Sequence, residues 1–508
     1  MHANRHRSLV SFGSASILLV ALLSLQSASV SAETRVPSFR PSTAIASSDW
    51  LGEINAYRSA SGLAPVTSNP EWVQGLEAHF TYLTKTPPSL MTGAYASVHT
   101  ENPSSPYYTV AGAQAAASSD LAFFGGSFTP KQAIDEWLDA PFHALAILNP
   151  GLHEVAYAAT SHMAGLDDAD GAAATQPTQV LFPGSGSPTE LISEASEVPT
   201  PTETCGWQSL SGMGLPIIVE MTSTPSASLT AQLVEPNGRV ETASNGQLCV
   251  VDQFTYKSSD PVYGPTGLAI LQDDRALVLI PRATFVAGKY AVTVTQPGVP
   301  TIAWSFNVLT VPTPPTAVKV KSGDNQVTVS WAPPASNGGQ PITEYIAVTE
   351  GEPQTCTHVV SKGGPDSCTI TDLLTVPQEY LANDEFQVMA VNAEGRSQPS
   401  NGVPGNPYKI TTLPELTLSR SSVPFGAQQE TVFSVKVLNH GFATLPTGQV
   451  QFFAGTRRVC TATLSNAHGS CTLLPRTLPR GTFTVVADYT GDLRYSPSQS
   501  AWATLAIT

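Results

Sequence analysis

The six cysteines are the residues whose type and spacing suggest chemistry most directly. No CxxC spacing occurs among them, which disfavours a zinc site. Each cysteine has a near neighbour inside the same apparent module, so three intramodular disulfides are predicted, in an oxidising compartment. The predicted pairs are Cys205 with Cys249, Cys356 with Cys368, and Cys460 with Cys471.

Three other short motifs lack the spacing that their chemistry needs. His153 and Glu154 begin like an HExxH zinc motif, but Tyr157 stands where the second histidine belongs. Residues 167–171 are rich in aspartate without EF-hand spacing, which favours a polar hairpin tip. Residues 184–187 do not form a GxSxG elbow. A Ser/His/Asp triad assembled in space stays open, although nothing local indicates one.

The first 32 residues have the layout of a secretory signal peptide. A cationic start with Arg5 and Arg7 precedes the apolar stretch 17–23, and small residues at 30–32 suit a cleavage site before Glu33. The alternative is an uncleaved membrane anchor, but the apolar run is short for a span. No later segment is predicted to cross a membrane. We therefore expect a secreted, extracellular protein without a transmembrane segment.

Length and composition indicate several small domains and exclude some functions. A chain of 508 residues is long enough for three or four domains. It carries 24 Lys and Arg against 39 Asp and Glu, a net charge of −15. Because nucleic-acid binding needs a basic surface, no nucleic-acid partner is expected. The 42 prolines and 38 glycines favour short strands joined by turns.

Helical periodicity dominates the chain before residue 140. Asp49 can cap a first helix that begins at Trp50, with Gly62 at its C-terminal end. Further helices are predicted to open at residues 69–70 and 129–130, and strands are predicted at 154–159 and 178–182. Helices and strands therefore share one layered domain, which we call the head.

After Cys205 the pattern changes to short alternating strands, such as residues 326–331 and 482–486. Three modules of about 100 residues fit β-sandwiches. Pro-rich stretches at 311–315 and 404–407 mark two of their boundaries. The predicted organisation is a signal peptide at 1–32, the head at 43–198, and β-sandwich modules at 205–310, 312–407 and 411–508.

Several motifs in the head follow one another in the order of a known family. They are Ile-Asn-Ala-Tyr-Arg at 54–58, Gly-Leu-Ala-Pro-Val at 62–66, Val-His-Thr-Glu at 98–101, Trp-Leu-Asp-Ala-Pro-Phe-His at 137–143 and Glu-Val-Ala-Tyr at 154–157. Over residues 45–190 the head resembles the CAP superfamily (cysteine-rich secretory, antigen 5 and pathogenesis-related 1). The resemblance implies an α-β-α sandwich with a cleft that holds two histidines and acidic partners.

By position, the resemblance assigns the cleft histidines to His99 and His143. The sequence departs from the family where Gly-Glu-Asn-Ile is expected, because residues 112–115 read Gly-Ala-Gln-Ala. Either Glu101 or Asp120 is a candidate replacement for the missing carboxylate.

A metal site is one expectation for this cleft. Two imidazoles and a carboxylate suit zinc or another borderline divalent ion, which gives His99, Glu101 and His143 as predicted ligands. Asp120 and Glu136 are predicted cleft residues that could serve as a base. The alternative places His99 in an exposed loop and His143 against a helix end, with no shared site.

The three β modules have resemblances of their own. Residues 205–310 loosely resemble an immunoglobulin-like sandwich. Residues 312–407 resemble fibronectin type III through Val-Thr-Val-Ser-Trp at 327–331 and the strand at 386–395. Residues 411–508 resemble bacterial Ig-like repeats through 446–452 and 487–492. These modules are expected to be spacers or adhesive surfaces.

Three functions follow. The first is a secreted interaction protein, non-catalytic or weakly catalytic, whose head binds a small apolar ligand, a metal ion or an extracellular partner. The second is a metal-assisted extracellular hydrolase that uses the two-histidine cleft. The third is a glycan or cell-wall adhesin that acts through its β modules.

Overall fold

The computed structural model describes residues 10–12, 49–207, 212–349, 354–373 and 385–508. The chain divides into two compact units, Met1–Thr310 with Gly338–Gln340, and Val311–Asn337 with Pro341–Thr508. No helix within the described ranges is long and apolar enough to span a bilayer.

The helices of the head begin where local signals favour them. Asp49 accepts the backbone N–H of Gly52 at 2.9 Å and caps the first helix, as predicted. Gly62 follows that helix with φ of 78°, a conformation that glycine adopts without strain. Thr129 forms a capping box before a helix that starts at Pro130. In the described part of the head the helices are α1 Trp50–Ala60, α2 Val73–Lys85, α3 Val110–Ser118, α4 Pro130–Asp139 and α5 Pro141–Ile147.

A mixed sheet separates two hydrophobic cores in the head. Neighbouring residues of one strand face opposite sides, so Leu121 packs with Leu76 and Phe80 of α2, whereas Ala122 packs with Trp137 of α4. The helices thus cover both faces, which gives the expected α-β-α layers. The strands, in spatial order, are β2 Thr67–Ser68, β4 Glu154–Ala159, β5 Met163–Asp167, β3 Ser119–Phe123, β1 Val10–Phe12 and β8 Ser196–Val198.

Strand β1 belongs to the segment that was assigned to the signal peptide. It pairs parallel to β3 and antiparallel to β8, so it fills the position between these two strands. The other residues of the predicted signal lie outside the described part of the chain. Cleavage before Glu33 would remove β1 from this sheet.

The module that follows the head does not form a separate core. Strand β6, Val180–Phe182, was expected within the head, but it pairs with β9, Ile217–Glu220. Strand β7, Pro188–Thr189, pairs with β15, Ile302–Val308. One buried cluster contains Trp137 of the head together with residues of the following sandwich. The predicted division between 43–198 and 205–310 therefore does not coincide with a division in packing.

Two sheets and one helix make up this interlocked sandwich. The helix, α6 Gly264–Asp273, was not predicted, because its sequence Gly-Pro-Thr-Gly-Leu-Ala-Ile-Leu carries a glycine and proline content typical of turns. The first sheet has the order β12-β13-β9-β6 and the second has the order β11-β10-β14-β15-β7. The remaining strands are β10 Thr230–Val234, β11 Val240–Thr242, β12 Leu248–Val251, β13 Ala276–Pro281 and β14 Gly288–Thr295.

The third module is a sandwich with its own core, in which Trp331 packs among buried residues such as Val327 and Phe386. Its sheets have the orders β16-β17-β20 and β19-β18-β21-β22, with β23 paired to β21. The strands are β16 Thr316–Gly323, β17 Gln326–Ala332, β18 Glu344–Thr349, β19 Thr355–Val359, β20 Ser367–Thr371, β21 Glu385–Asn392, β22 Gly395–Arg396 and β23 Val403–Pro404.

The fourth module is a second self-contained sandwich, built around Phe433 and Phe452. Its sheets have the orders β24-β26-β29 and β25-β32-β30-β27-β28, with β31 paired to β30. The strands are β24 Leu413–Leu418, β25 Ser422–Val423, β26 Val432–Leu438, β27 Gln449–Ala454, β28 Arg457–Thr463, β29 His468–Thr472, β30 Gly481–Tyr489, β31 Ser498–Gln499 and β32 Ala503–Ile507.

The disulfide prediction is confirmed. All six cysteines are bonded in the three local pairs that the spacing favoured, and none is free. The first bond joins Cys205, just after the head, to Cys249 in β12. It therefore fixes the start of the interlocked sandwich to one of its own sheets.

Candidate functional site

His143 lies at the centre of a buried polar group. It sits in the first turn of α5, and its side chain is fully buried. Its Nδ1 is 3.1 Å from Oε2 of Glu197 in β8, and its Nε2 is 3.9 Å from Oδ1 of Asp120 in β3. The imidazole is therefore flanked by carboxyl groups from the two strands that border β1.

Glu197 anchors the start of α5 as well as the imidazole. The backbone N–H of Phe142 donates to its carboxyl group at 3.1 Å, which satisfies one of the free donors of this helix end. Burial raises the pKa of Glu197 well above its usual range, although backbone N–H groups of Phe142 and His143 oppose that rise. Burial and the nearby Glu197 also raise the pKa of Glu194 to about 9. This part of the interior therefore favours protonated carboxyl groups.

His99, the other predicted cleft histidine, is also buried rather than held in an exposed loop, with 5% of its surface accessible. Its Nδ1 donates to the carbonyl oxygen of Ala116 at 3.0 Å, and Ser97 Oγ accepts its backbone N–H. Its ring meets the ring of Tyr263 edge-on, with centroids 6.2 Å apart. Local backbone groups and an aromatic ring from the interlocked sandwich therefore fix its orientation.

Glu101 does not share a site with His143. Its Oε1 lies 2.9 Å from Nδ1 of His79, a fully buried histidine on α2. Its Oε2 accepts the backbone N–H of Thr109 at 3.3 Å. His79 in turn lies 2.8 Å from the carbonyl oxygen of Val98 through Nε2. Glu101 thus joins α2 to the loop before α3.

The predicted metal set is not assembled. Within the described residues, no three His, Cys, Asp or Glu side chains are grouped in a way that could hold a metal ion. The physical reason is that Glu101 is engaged by His79, while the carboxyl groups beside His143 come from Asp120 and Glu197. Glu136, predicted as a cleft base, lies half-buried on α4, where its charge helps to raise the pKa of Asp139.

A loop of the interlocked sandwich, residues 252–263, contacts His99 and also Phe142, the residue before His143. We call it the covering loop. Tyr263 hydrogen-bonds through its hydroxyl to Ser97 Oγ, and Tyr256 meets Phe142 edge-on at 5.7 Å between ring centroids. Burial raises the pKa of Tyr256 to about 12, and the Glu197 charge adds to the rise. The loop therefore reaches both histidine neighbourhoods.

The covering loop is held by its own turns and by the chain just after the head. Oδ1 of Asp252 accepts the N–H groups of Phe254 and Thr255, and Oδ1 of Asp260 accepts that of Tyr263 at 2.7 Å. These are side-chain-to-backbone turns that fix a loop locally. In addition, Ser259 donates through its backbone N–H and its hydroxyl to Glu203.

Burial limits the reactions that His143 and its two carboxyl neighbours could catalyse, because a substrate must reach them. An imidazole between two carboxyl groups has the geometry of an oriented general base. Such a base must come within hydrogen-bond reach of a substrate proton. However, Asp120, His143 and Glu197 are each at most 3% exposed, so in this conformation they act on one another and on the backbone.

Comparison with known families decides what the head is. Residues 51–167 match the model of the cysteine-rich secretory protein family, CAP. The head contains a CAP domain. The match ends before Glu197 and before the covering loop, so two parts of the histidine site lie outside the matched residues. Residues 416–508 match a second model, the bacterial Ig-like domain (group 3).

Similar proteins are found for parts of the chain. Fast-type myosin-binding protein C of Mus musculus is 33% identical over 133 residues, covering 25% of this chain and 11% of that protein. The protein of the same name from Gallus gallus is 30% identical over 167 residues, covering 32% and 14%. The chain therefore spans only 11% to 14% of the length of these curated relatives.

Among solved structures, the crystal structure of chicken CNTN1 FN1–FN3 domains is 12% identical, with a TM-score of 0.21, covering 58% of this chain and 94% of that one. The crystal structure of Dpr2 Ig1–Ig2 in complex with DIP-Theta Ig1–Ig3 is 9% identical, with a TM-score of 0.29, covering 58% and 92%. No functional conclusion follows from likenesses at these scores.

His79, Glu197 and Tyr263 belong to the site but were not predicted from the sequence. Glu197 lies just before Pro199 in a stretch that reads as a polar linker, and Tyr263 lies beyond the predicted domain boundary. Only His79 carried a usable signal, because a histidine on the apolar face of a helix needs a buried partner.

Proposed function

We propose that the protein is an exported interaction protein whose CAP domain presents a binding surface and performs no hydrolysis. The β modules serve as spacers that carry this domain. The observation that carries the proposal is the enclosure of His143 between Asp120 and Glu197, in a core shared by the head and the following sandwich. A hydrolytic base must meet its substrate, whereas this imidazole is fully buried.

The contacts of the neighbouring residues also support a structural role for the histidines. His79 and Glu101 tie α2 to the loop before α3, and His99 is oriented by a backbone carbonyl and by Tyr263. Buried polar groups that are satisfied in this way stabilise one packing arrangement over others. The partner we expect is an extracellular protein, a glycan or a small apolar ligand that contacts the exterior of the head.

Export is part of the proposal. It is supported by the N-terminal sequence pattern and by three disulfides, which persist in oxidising compartments. Cleavage before Glu33 would remove β1 from between β3 and β8. Protein recovered from the medium should begin at Glu33, and N-terminal sequencing checks this.

Hydrolysis assays on the purified full chain test the proposal. We expect no turnover at an enzymatic rate on panels of esters, peptides and nucleic acids, with and without added zinc. His143→Asn should then change thermal stability but no activity, and His162→Asn, which alters an exposed histidine, serves as the matched control. Turnover that disappears in folded His143→Asn and persists in His162→Asn would contradict the proposal.

A further inference from the structure

The fourth module differs in charge from the rest of the chain. Residues 411–508 contain seven Lys or Arg and four Asp or Glu, a net charge of +3, although the whole chain carries −15. The remaining residues therefore carry −18. A local charge of opposite sign in an acidic protein marks a place where an anion can approach without general repulsion.

Strand topology gathers most of these cations at one end of the module. At this end β27 turns into β28, the connection from β29 leads into β30, and β32 finishes opposite the start of β30. The exposed arginines there are Arg457 and Arg458 at the start of β28, and Arg476 and Arg480 in the connection before β30. We call these four residues, together with Phe425, the basic end.

The acidic residues of the module do not neutralise the basic end. Glu430 is the acidic side chain that the described loops place there, and Arg420 binds it at 2.6 Å, so this pair cancels its own charge. Asp492 lies at the opposite end, where it accepts the backbone N–H of Thr447. No ion pair within the described residues joins the four arginines of the basic end to an acidic side chain, so their positive charge is exposed to solvent.

Phe425 gives the basic end a defined geometry. The guanidinium carbon of Arg480 lies 5.5 Å from the centroid of the Phe425 ring, and that of Arg476 lies 5.9 Å from it. A half-exposed aromatic ring thus holds two planar cations close to each other by cation–π attraction. Two like charges held side by side at a surface repel each other, and a bound anion relieves that repulsion.

We propose that the basic end binds an acidic polysaccharide through its uronate carboxylates. Guanidinium groups match carboxylates in a two-bond geometry. The exposed side chain of Leu474, beside Arg476, and the ring of Phe425 offer apolar area for the faces of sugar rings. A linear polyuronate alternates these two features, and the acidic remainder of the chain restricts its attachment to this end.

Binding of the full-length protein to immobilised polygalacturonate tests the inference, with dextran as the neutral polymer. We expect binding to polygalacturonate alone, and a loss of affinity when the salt rises from about 50 to 200 mM. Arg476→Gln/Arg480→Gln should weaken binding by roughly tenfold or more. Phe425→Leu should weaken it less, since it keeps both charges but removes the ring that positions them.

The matched control is Lys319→Gln/Lys321→Gln, which removes two exposed positive charges from the third module. It should bind within about twofold of the unmodified protein. Equal binding to dextran, unchanged affinity of the double arginine variant, or absence of binding would overturn the inference. Tighter binding to polyphosphate or to single-stranded DNA than to polygalacturonate would overturn the assignment to carboxylates.

Discussion

The two units of the molecule combine their modules in different ways. In the first unit, strands β6 and β7 leave the head and complete the sheets of the following sandwich. In the second unit, every described sheet is built from strands of a single module. The module boundaries predicted from the sequence therefore match packing units in the second unit, but not in the first.

This difference also separates two kinds of ionisable group. The carboxyl groups around His143 are enclosed by the shared core and face one another, whereas the arginines of the basic end face solvent. Buried polar groups are retained where they specify one packing arrangement, and exposed charge is available to a partner. We therefore propose that the CAP domain binds through its exterior and the fourth module through its charge.

The largest expected effect comes from truncating one buried leucine to alanine in each of the two kinds of core. Leu277 in β13 and Leu505 in β32 are both fully buried. Leu277→Ala should lower the stability of the head and the interlocked sandwich together, by about 2–5 kcal/mol, because one core serves both. Leu505→Ala should cost a similar amount in the fourth module alone. Calorimetry checks this, and a head that keeps its melting temperature in Leu277→Ala would break the comparison.

We expect pH to change the free energy of unfolding by a smaller amount, and in opposite directions in the two units. Burial raises the pKa of Glu194 to about 9 from an ordinary value of 4.5, so the folded first unit keeps a proton that the unfolded chain releases. Its contribution to stability is complete below pH 4.5 and is lost as pH rises toward 9. In the second unit, burial raises the pKa of Asp492, but hydrogen bonds from Thr447 and from the backbone of Tyr495 lower it by more. The pKa of Asp492 is therefore below its ordinary value. That stability is present at neutral pH and is lost in acid.

Urea unfolding at pH 5 and pH 8.5 measures the slope of the first unit, and unfolding at about pH 2 and pH 5 measures that of the second, because the pKa of Asp492 lies below 3.8. Glu194→Gln should flatten the dependence of the first unit, whereas Glu190→Gln, which alters a half-exposed carboxylate, should leave it unchanged. If the free energy of unfolding changed with pH in the same direction in both units, the enclosed carboxyl groups would not distinguish the two units.

Local sequence signals were sufficient where neighbours along the chain determine the structure. The cap at Asp49, the helix that opens at residues 129–130 and the strand Glu154–Ala159 all appear as predicted. The disulfides also follow, since each pair lies within one module. In these cases the decisive contacts are between residues close in sequence, or between strands of one alternating pattern.

The site could be predicted only in part, for the same physical reason. The motif order led to His143 and to Asp120, which the structure brings to 3.9 Å from each other. Glu197 completes the group from beyond the family match, and Tyr263 reaches His99 from a different module. An alternating pattern shows that residues 180–182 form a strand, but not that their partner is Ile217–Glu220.

Native-state hydrogen exchange of the full-length protein tests the central claim most directly. The claim is that the head and the residues up to Thr310 share one core and open together. The slowest amides of Glu154–Ala159 in the head and of Ala276–Pro281 in the sandwich should exchange with the same opening free energy and should shift together in Leu277→Ala. Two distinct opening free energies, with only the sandwich strand responding to Leu277→Ala, would contradict the account.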